Sequence, residues 1–502
     1  MNTASIWKGT SEETDFPALT GDLSVDVAII GGGITGITAA LLLSQAGKSV
    51  AVLEAGKLGM GTTGFSTGNL YAVLAEHLFT IGEKWDEATM RAVADARQGA
   101  VDLIEKIITT HAIDCDFFRR PLHLFAADAA EERKGAVEKE YQAAVTIGLK
   151  ARLTETLPSP FKAEKALIIE EQAQFHPLNY VKGLAQAIAD ERCQIFEHSK
   201  AIAIDDSRCI VDTAGGSVTA GKIIMATHTP KGVNVLQTEL GPYREYAIAA
   251  RLDGNDFPEG IFWSLGPSRH SIRSYDSNGH KYLLVLGEDH KTGQKEETGE
   301  CYQRLEEYLR ANFAAGAIEY RWSAQRYYPA DKLPYIGKSI GSANVYVATG
   351  YATDGLVYGT LAAVLISDDI MGRENPCSGL FDSRRFNPAK SAKEFLTENI
   401  NVAGYYLKDY LKGPETHSAD EVGRGEGKLI KLNGEKLAAY RDDNGKLFLL
   451  SPVCTHMKCI VHWNKAERTW DCPCHGSRFQ FDGEVIEGPA IAALESKSLE
   501  SG

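Results

Sequence analysis

The chain has 502 residues, enough for two or three domains with substantial hydrophobic cores. Its hydrophobic fraction of 44% and charged fraction of 24% are those of an ordinary soluble globular protein. The net charge of −14 disfavours nucleic-acid binding, and no apolar stretch is long enough for a transmembrane segment. The N-terminus lacks the basic and apolar regions of a signal peptide, so we expect a cytoplasmic protein.

The first strong pattern is a β-α-β unit that ends at Glu54. Residues 25–30 form a nearly continuous apolar run, which is typical of a strand buried on both faces. A G-x-G-x-x-G turn follows directly, and a helix-like stretch over 37–45 leads to a second strand-like run over 49–53. The glycines of this turn are Gly31, Gly33 and Gly36.

This unit predicts a dinucleotide site. The three glycines allow a tight turn, close approach of backbone to a pyrophosphate, and close packing of helix on strand. The helix N-terminus at Ile34 and Thr35 offers N–H groups to the phosphates. Glu54 stands at the end of the second strand, where an acid accepts hydrogen bonds from a ribose diol.

The segment after Glu54 identifies the dinucleotide. Residues 55–70 read AGKLGMGTTGFSTGNL and resemble the flavoprotein family that includes D-amino-acid oxidase, glycine oxidase and sarcosine oxidase. Residues 209–230, which end in an A-T-x-x-P turn, and residues 328–372 resemble two further segments of that family. The resemblance covers most of residues 1–385 and implies FAD, while no second G-x-G-x-x-G unit suits NAD(P)H. It implies further FAD contacts from Thr62, Thr63, Thr227, Gly350, Asp354, Gly355 and Leu356.

Members of that family oxidise the carbon beside an amine, which implies a small amine or amino-acid-like substrate. We expect Tyr246 and Arg273 to face the substrate, since they lie in segments that line the flavin in relatives. The guanidinium of Arg273 suits a carboxylate, although a structural ion pair explains it equally well. Tyr351 could touch either cofactor or substrate, and Arg326 is interpreted as structural or FAD-contacting. The sequence offers no evident catalytic base.

Near the C-terminus, two loops each carry one cysteine and one histidine. Cys454 and His456 form the first pair, and Cys472 and His475 form the second. A Rieske [2Fe–2S] cluster takes two thiolates on one iron and two imidazoles on the other, so this arrangement fits it. Zinc is the alternative, but a Cys2His2 finger spaces its ligands as C-x2–4-C and H-x3–5-H.

The flanking residues resemble respiratory and photosynthetic Rieske proteins. In that family a second cysteine pair forms a disulfide between the two loops, and the resemblance implies the same for Cys459 and Cys474. The strand candidates 428–432, 437–441 and 447–450 are separated by Asn-Gly turns, which predicts a small antiparallel β domain. The other five cysteines are scattered, as expected of reduced thiols in a cytoplasmic protein.

These anchors predict the fold class and the domains. We expect an α/β (α+β) Rossmann-like FAD-binding domain with an inserted substrate lobe, followed by a small all-β Rieske domain. A long amphipathic helix is expected over 85–113. The expected boundaries are 1–24 for a lead-in, 25–390 for the FAD domain with its lobe at about 75–150 and 235–320, 391–419 for a helical connector and linker, and 420–502 for the Rieske domain.

Together the two cofactors imply an oxidoreductase with an internal electron path. The expected path runs from the substrate to FAD, then to the Rieske cluster, and then to an external one-electron acceptor or quinone. One alternative is an electron-transfer flavoprotein or reductase that feeds a partner oxygenase. A second alternative is a redox sensor, in which the cluster only reports oxidation state.

One departure from the Rieske pattern predicts a change in redox potential. Respiratory Rieske proteins commonly have a tyrosine two residues after the serine, where this chain has Ser477 and then Phe479. Hydrogen bonds to the cluster sulfurs stabilise the reduced state, so the missing hydroxyl places the potential in the lower part of the range of about −150 to +300 mV. Phe479→Tyr should therefore raise the midpoint potential in a redox titration, and an unchanged potential would contradict this reasoning.

Overall fold

The computed structural model describes residues 4–252, 257–277, 279–385, 387–411, 413–416 and 418–498. Its helices are, in chain order, α1 Ile6–Gly9, α2 Ile34–Gln45, α3 Leu78–Lys84, α4 Glu87–His111, α5 Glu131–Thr146, α6 Pro177–Ile188, α7 Gly299–Asn312, α8 Gly355–Ile370, α9 Ser378–Phe381 and α10 Pro388–Leu411. Short 3-10 turns lie at Thr62–Phe65, Val235–Glu239 and Ala419–Glu421.

The strands divide among four sheets. They are β1 Leu23–Ile30, β2 Val50–Leu53, β3 Asn69–Leu70, β4 Phe118–Ala126, β5 Ala151–Thr154, β6 Lys165–Gln174, β7 Cys193–Phe196, β8 Ala203–Asp205, β9 Ile210–Thr213, β10 Gly216–Met225, β11 Leu240–Leu252, β12 Ile261–Leu265, β13 His270–Ser277, β14 His280–Lys291, β15 Ala315–Pro329, β16 Tyr335–Lys338, β17 Val345–Thr349, β18 Glu426–Leu432, β19 Glu435–Arg441, β20 Leu447–Leu450, β21 His462–Asn464, β22 Thr469–Asp471, β23 Arg478–Gln480 and β24 Val485–Glu487.

The first sheet is built around the predicted β-α-β unit. Its order is β16-β17-β10-β1-β2-β7, and β1 pairs in parallel with both β2 and β10. The last four residues of β1 and all four of β2 are buried, as expected of strands covered on both faces. Helix α2 follows β1 after the glycine turn and packs against α8. The carboxyl ends of these parallel strands therefore meet at the glycine turn.

The second sheet has the order β15-β11-β14-β13-β12-β4-β6-β3, with β5 paired to β6. Its strands come from residues on both sides of β7 to β10 in the chain, so it is an inserted lobe. Helix α4 begins after Asp86, whose carboxylate accepts a hydrogen bond of 2.7 Å from the N–H of Thr89. Its buried side chains recur every three or four residues, which confirms that the apolar face of the predicted 85–113 helix belongs to the core.

The connector and the C-terminal region follow the sequence pattern closely. The connector helix starts at Pro388. Proline suits the first helical turn, where its missing N–H costs no hydrogen bond within the helix. Beyond it, β18-β19-β20 and β21-β22-β23-β24 form two antiparallel sheets. Asn433 and Gly434 have φ of +50° and +85°, as a tight Asn-Gly hairpin requires. The predicted fold class, an α/β domain with an inserted lobe followed by a small all-β domain, is confirmed.

Buried ion pairs join the all-β domain to the inserted lobe. Arg244 on β11 pairs with Glu467 at 2.8 Å and with Glu487 at 3.2 Å. Arg478 on β23 pairs with the same two carboxylates at 2.6 and 3.0 Å, and with Asp471 at 3.0 Å. The Arg244 side chain is only 1% exposed. Charges buried in this way fix the geometry of the domain contact, because each loses most of its hydration and depends on its partners.

Within the described ranges, none of the helices combines the length and apolar character required to cross a bilayer.

Replacing Arg244 tests this contact. Arg244→Met should lower the free energy of unfolding by about 3–5 kcal/mol, because Glu467 and Glu487 lose a buried positive partner. Urea denaturation followed by tryptophan fluorescence measures the change. Lys139→Met is the matched control, since Lys139 and Glu83 form an exposed pair that contributes about 0–1 kcal/mol. Equal losses in the two variants would contradict a structural role for the buried pairs.

Candidate functional site

The glycine turn after β1 is shaped by contacts that exclude side chains. Gly31 has φ of +109°, and a Cβ on it would lie 2.5 Å from the carbonyl oxygen of Ala226. A Cβ on Gly36 would lie 2.0 Å from the carbonyl oxygen of Gly31. Gly33 caps α2 and faces a large cavity together with Ile34. The turn thus presents backbone and a helix N-terminus to the cavity, as phosphate binding requires.

Glu54 is held at the cavity by backbone N–H groups. Its two carboxylate oxygens accept hydrogen bonds from Gly32 at 2.8 Å and from Gly56 at 2.9 Å. Burial nevertheless raises the pKa of Glu54, because desolvation outweighs these hydrogen bonds. A carboxylate fixed at the end of β2 can receive the hydroxyls of a ribose.

The threonines after Glu54 brace the same turn. The Thr63 hydroxyl accepts a hydrogen bond of 3.2 Å from the N–H of Ile34, and the Thr62 hydroxyl lies 3.1 Å from Nδ1 of His228. Burial lowers the pKa of His228 to about 4, so this ring is neutral near pH 7. Thr227 lies beside it on the cavity wall.

The cavity has a volume of about 690 Å³ and collects most of the predicted cofactor residues. Those on its wall are Gly31, Gly33, Ile34, Thr35, Glu54, Thr62, Thr63, Thr227, Gly355 and Leu356, and Tyr351 joins them. The other three predicted residues lie behind or beside this wall. Gly36 packs against the Gly31 carbonyl, and Gly350 and Asp354 line a neighbouring cavity of about 290 Å³. The residues present therefore fit an extended dinucleotide at the carboxyl ends of the parallel strands.

Asp354 has a structural partner that the sequence did not indicate. Its carboxylate pairs with Arg97 of α4 at 3.2 Å, and both side chains are almost fully buried. Burial raises the pKa of Asp354, and the Arg97 charge opposes that rise. Arg97 also donates hydrogen bonds to the carbonyls of Tyr71, Ala72 and Val73, so this pair fixes α4 against the turn before α8.

Two of the three residues expected to face substrate do not line this cavity. Tyr246 points to the opposite side of β11, where its hydroxyl lies 3.2 Å from Nε2 of His290. Arg273 is buried, and its Nη1 donates to the carbonyls of Thr67 at 3.2 Å and Gly68 at 2.8 Å. Neither side chain lines the cavity, because strand alternation turns Tyr246 away and backbone carbonyls occupy Arg273.

The lobe end of the cavity instead carries Glu245 and Arg326, which are paired at 3.0 Å. Arg326 also pairs with Asp289 at 2.9 Å. Burial raises the pKa of Glu245, and the Arg326 charge opposes that rise. Trp322, on the same strand as Arg326, and Trp263, on β12, add apolar side chains to the cavity wall. Because successive side chains of a strand point to opposite faces, the sequence could have suggested Glu245 as readily as Tyr246 for the cavity wall. It does not show which face of β11 meets the cofactor.

The two C-terminal loops bring the predicted cluster ligands together. Cys454 and Cys472 are free, buried thiols in contact with each other, and this contact lowers the pKa of Cys454 and raises that of Cys472. The rings of His456 and His475 lie 5.0 Å apart between centroids. Both Nδ1 atoms are buried without a hydrogen-bond partner. Two thiols and two unpartnered imidazole nitrogens are the donor set that a Rieske cluster needs.

Cys459 and Cys474 form a disulfide that ties the two loops together. Their sulfur atoms and that of Cys472 all lie within 4.8 Å of one another, which also resembles a three-cysteine metal site. Disulfide sulfurs are not thiolate ligands, so only Cys472 of these three can bind iron. The five scattered cysteines are free in the structure, as the sequence predicted.

The two candidate sites share a wall. Segment 485–491 of the all-β domain lines the large cavity at Val485, Glu487 and Ile491 among other positions. From the opposite side, the cavity-lining Gln325 donates a hydrogen bond of 2.7 Å to the carbonyl of Gly476, which follows His475. One side chain therefore spans the distance from the cavity wall to the cluster loop.

Comparison with known proteins agrees with both sites. The family model "FAD dependent oxidoreductase" matches residues 26–368, and the model "Rieske [2Fe-2S] domain" matches residues 415–498. YhfW of Bacillus subtilis (strain 168), whose name includes "Rieske 2Fe-2S iron-sulfur protein", is 34% identical over 99% of this chain and 98% of its own length. Gamma-glutamylputrescine oxidoreductase of Escherichia coli (strain K12) is 25% identical over 74% of this chain and 89% of its own length.

Solved structures show the same fold for the first domain. Glycine oxidase from Geobacillus kaustophilus superposes with a TM-score of 0.58 at 20% identity, covering 73% of this chain and 100% of that one. The cofactors predicted from sequence, FAD and a [2Fe–2S] cluster, are those of the two matched families and are confirmed. The chain belongs to the FAD dependent oxidoreductase family and carries a Rieske [2Fe–2S] domain after its flavin domain.

Proposed function

We propose that this enzyme oxidises a small amine or amino-acid-like substrate and delivers the electrons through its Rieske domain to an external one-electron acceptor or quinone. One observation carries the proposal: a single cavity is lined by the glycine turn, by the lobe strands and by segment 485–491 of the Rieske domain. A flavin there would meet substrate at one end and the Rieske domain along one wall. When bound, FAD would take a hydride, which carries two electrons, from the carbon beside the amine, and the [2Fe–2S] cluster would accept electrons one at a time.

The lobe end of the cavity supports an amine as the reacting group. One guanidinium, Arg326, faces two carboxylates, Glu245 and Asp289, which leaves one negative charge. A substrate carboxylate would have to displace one of these partners, whereas an ammonium group complements the excess charge. Because burial raises its pKa, Glu245 is also suited to take the proton that an ammonium group must lose before oxidation.

Apolar side chains complete the proposed substrate end. Trp322 and Leu286 line the cavity on the strands that flank β11, Trp263 lines it farther along the same sheet, and each is at most 8% exposed. Such walls exclude water, which strengthens the charge interactions at Glu245 and limits hydrolysis during the reaction. The curated relative that acts on gamma-glutamylputrescine, according to its name, gives independent support for an amine substrate.

The proposed electron exit follows packed side chains rather than open solvent. His228 and Tyr327 both line the cavity, and their rings pack edge to face with centroids 4.9 Å apart. The Tyr327 hydroxyl donates a hydrogen bond of 3.1 Å to the carbonyl of Gly488, and it accepts one of 2.8 Å from Gln325. Gln325 in turn contacts the cluster loop at Gly476. The two cofactor sites are thus connected through short, direct contacts.

Anaerobic mixing tests the function directly. The oxidised protein is combined with a panel of amines and amino acids while flavin absorbance and the Rieske EPR signal are followed together. We expect bleaching of the flavin followed by the signal of the reduced cluster. Reduction by NADH or a reduced carrier protein, with no response to the panel, would replace this proposal with an electron-transfer module that serves a partner oxygenase.

Glu245→Gln tests the substrate end. With the active amine, we expect KM to rise at least about tenfold, equivalent to about 1.4 kcal/mol, because the excess negative charge is lost. The amide can still accept a hydrogen bond from Arg326, so the local packing is retained. Steady-state kinetics measures the change. Glu87→Gln, at a largely exposed position on α4, is the matched control and should leave KM unchanged. An unaltered KM in Glu245→Gln would remove this residue from the site.

A further inference from the structure

A buried glutamine joins the proposed cluster ligand His456 to the flavin domain. Gln237 lies in the 3-10 turn Val235–Glu239 that precedes β11, and only 4% of it is exposed. Its Oε1 lies 2.8 Å from Nε2 of His456, which is 219 residues later in the chain. This contact crosses from the flavin domain to the Rieske domain.

Backbone contacts fix the orientation of the Gln237 amide. Its Nε2 donates to the carbonyl of Pro230 at 3.0 Å and to the carbonyl of Gly232 at 2.7 Å. Its Oε1 accepts from the N–H of Asn234 at 3.0 Å. Rotating the amide by 180° would place its NH2 group against the N–H of Asn234 and its oxygen against the carbonyls of Pro230 and Gly232. The oxygen must therefore face His456.

The fixed amide, together with the backbone of Gly232 that also contacts the His456 ring, sets the tautomer of His456. An oxygen that only accepts requires a donor, so Nε2 of His456 carries the hydrogen. In a neutral ring, Nδ1 then keeps its lone pair. That Nδ1 is buried without a hydrogen-bond partner, and its ring lies 5.0 Å from that of His475 between centroids, so this nitrogen remains available to bind iron. His475 differs, because no side-chain hydrogen bond is found for it within the described parts of the chain.

We propose that Gln237 is a positioning residue for the Rieske cluster: it holds His456 in the tautomer that binds iron through Nδ1 and ties the cluster loop to the flavin cavity. The second role follows from the hydrogen bonds of Gln237 to segment 229–232 of the flavin domain. Thr229 and Lys231 of this segment line the cavity. Gly232 adds a further bond from its N–H to the carbonyl of Pro489, at 3.0 Å. A hydrogen bond from the outer N–H of a ligating histidine makes the ring a stronger electron donor.

This role predicts a change in the midpoint potential of the cluster and not only in the rate of catalysis. A stronger donor stabilises the oxidised cluster, so Gln237 lowers the midpoint potential. Because Gln237 contacts only one of the two histidines, its effect falls on one imidazole and leaves the other unchanged. The inference concerns the cluster alone and holds whatever substrate the flavin oxidises.

Gln237→Leu in the full-length protein with both cofactors bound is the test. We expect a higher midpoint potential in an EPR-monitored redox titration without substrate, and an altered hyperfine coupling for one of two histidine nitrogens in pulsed EPR. We also expect cluster loss to a chelator to be about 10–100-fold faster, as when other outer-shell partners of metal ligands are removed. A potential and nitrogen couplings equal to those of the unmodified protein would overturn the proposal.

Two further variants separate positioning from general loosening. Asn399→Leu removes a 2.9 Å hydrogen bond from α10 to the carbonyl of Thr238 in the same 3-10 turn but keeps Gln237, so it should leave the potential unchanged. The same shift in this control would overturn the proposal. Gln237→Glu keeps an oxygen toward His456, and its second oxygen, which faces the carbonyls of Pro230 and Gly232, should be protonated and donate in place of the amide N–H. This variant should retain the cluster with a potential no higher than that of the unmodified protein.

The glutamate variant also decides the result if Gln237→Leu fails to fold or to hold a cluster. Retention of the cluster in Gln237→Glu would support the need for an acceptor at His456. Loss of the cluster there, or a rise in potential equal to that in Gln237→Leu, would overturn it.

Discussion

Five charges at the domain contact, three of them buried and two half-buried, are the constraint on which the arrangement of both redox sites depends. Arg244 of the flavin domain and Arg478 of the Rieske domain share Glu467 and Glu487, and Arg478 also holds Asp471. Pairs of this kind add little net stability compared with apolar packing, but they tolerate few alternative geometries. They place segment 485–491 against the large cavity, so that residues of both domains line it.

The same contact explains why the polar groups between the two sites are satisfied. Gln325, Tyr327 and Gln237 each come from the flavin domain and each makes a hydrogen bond to the Rieske domain. If the domains separated, all three would lose partners that water alone could replace, and the cavity would open along one side. Docking of the two domains therefore satisfies these three polar groups and closes the cavity on one side.

The sequence was sufficient where chemistry is local. Short motifs of a few residues define the glycine turn, the position of Glu54 and the two Cys-His loops. For these sites, residues that are close in the sequence are also close in space. It was insufficient where two distant segments meet. The sequence left Arg273 open between a carboxylate ligand and a structural ion pair, and in the structure its guanidinium donates to two backbone carbonyls. The direction of β11, which exposes Glu245 and hides Tyr246, depends on which side of the lobe sheet packs on the flavin domain. Gln237 has no motif at all, since its partner lies 219 residues away.

The position of Arg244 has a consequence for how such a fusion can arise and be rearranged. Among the described residues, both carboxylates that pair with this buried guanidinium belong to the Rieske domain. An isolated flavin domain would expose Arg244 without its two carboxylate partners and would leave one side of the cavity open. A Rieske domain from another protein would need acidic residues at the positions of Glu467 and Glu487 to replace them. The two folds have become interdependent parts of one molecule, so exchange of either part requires compensating changes in the other.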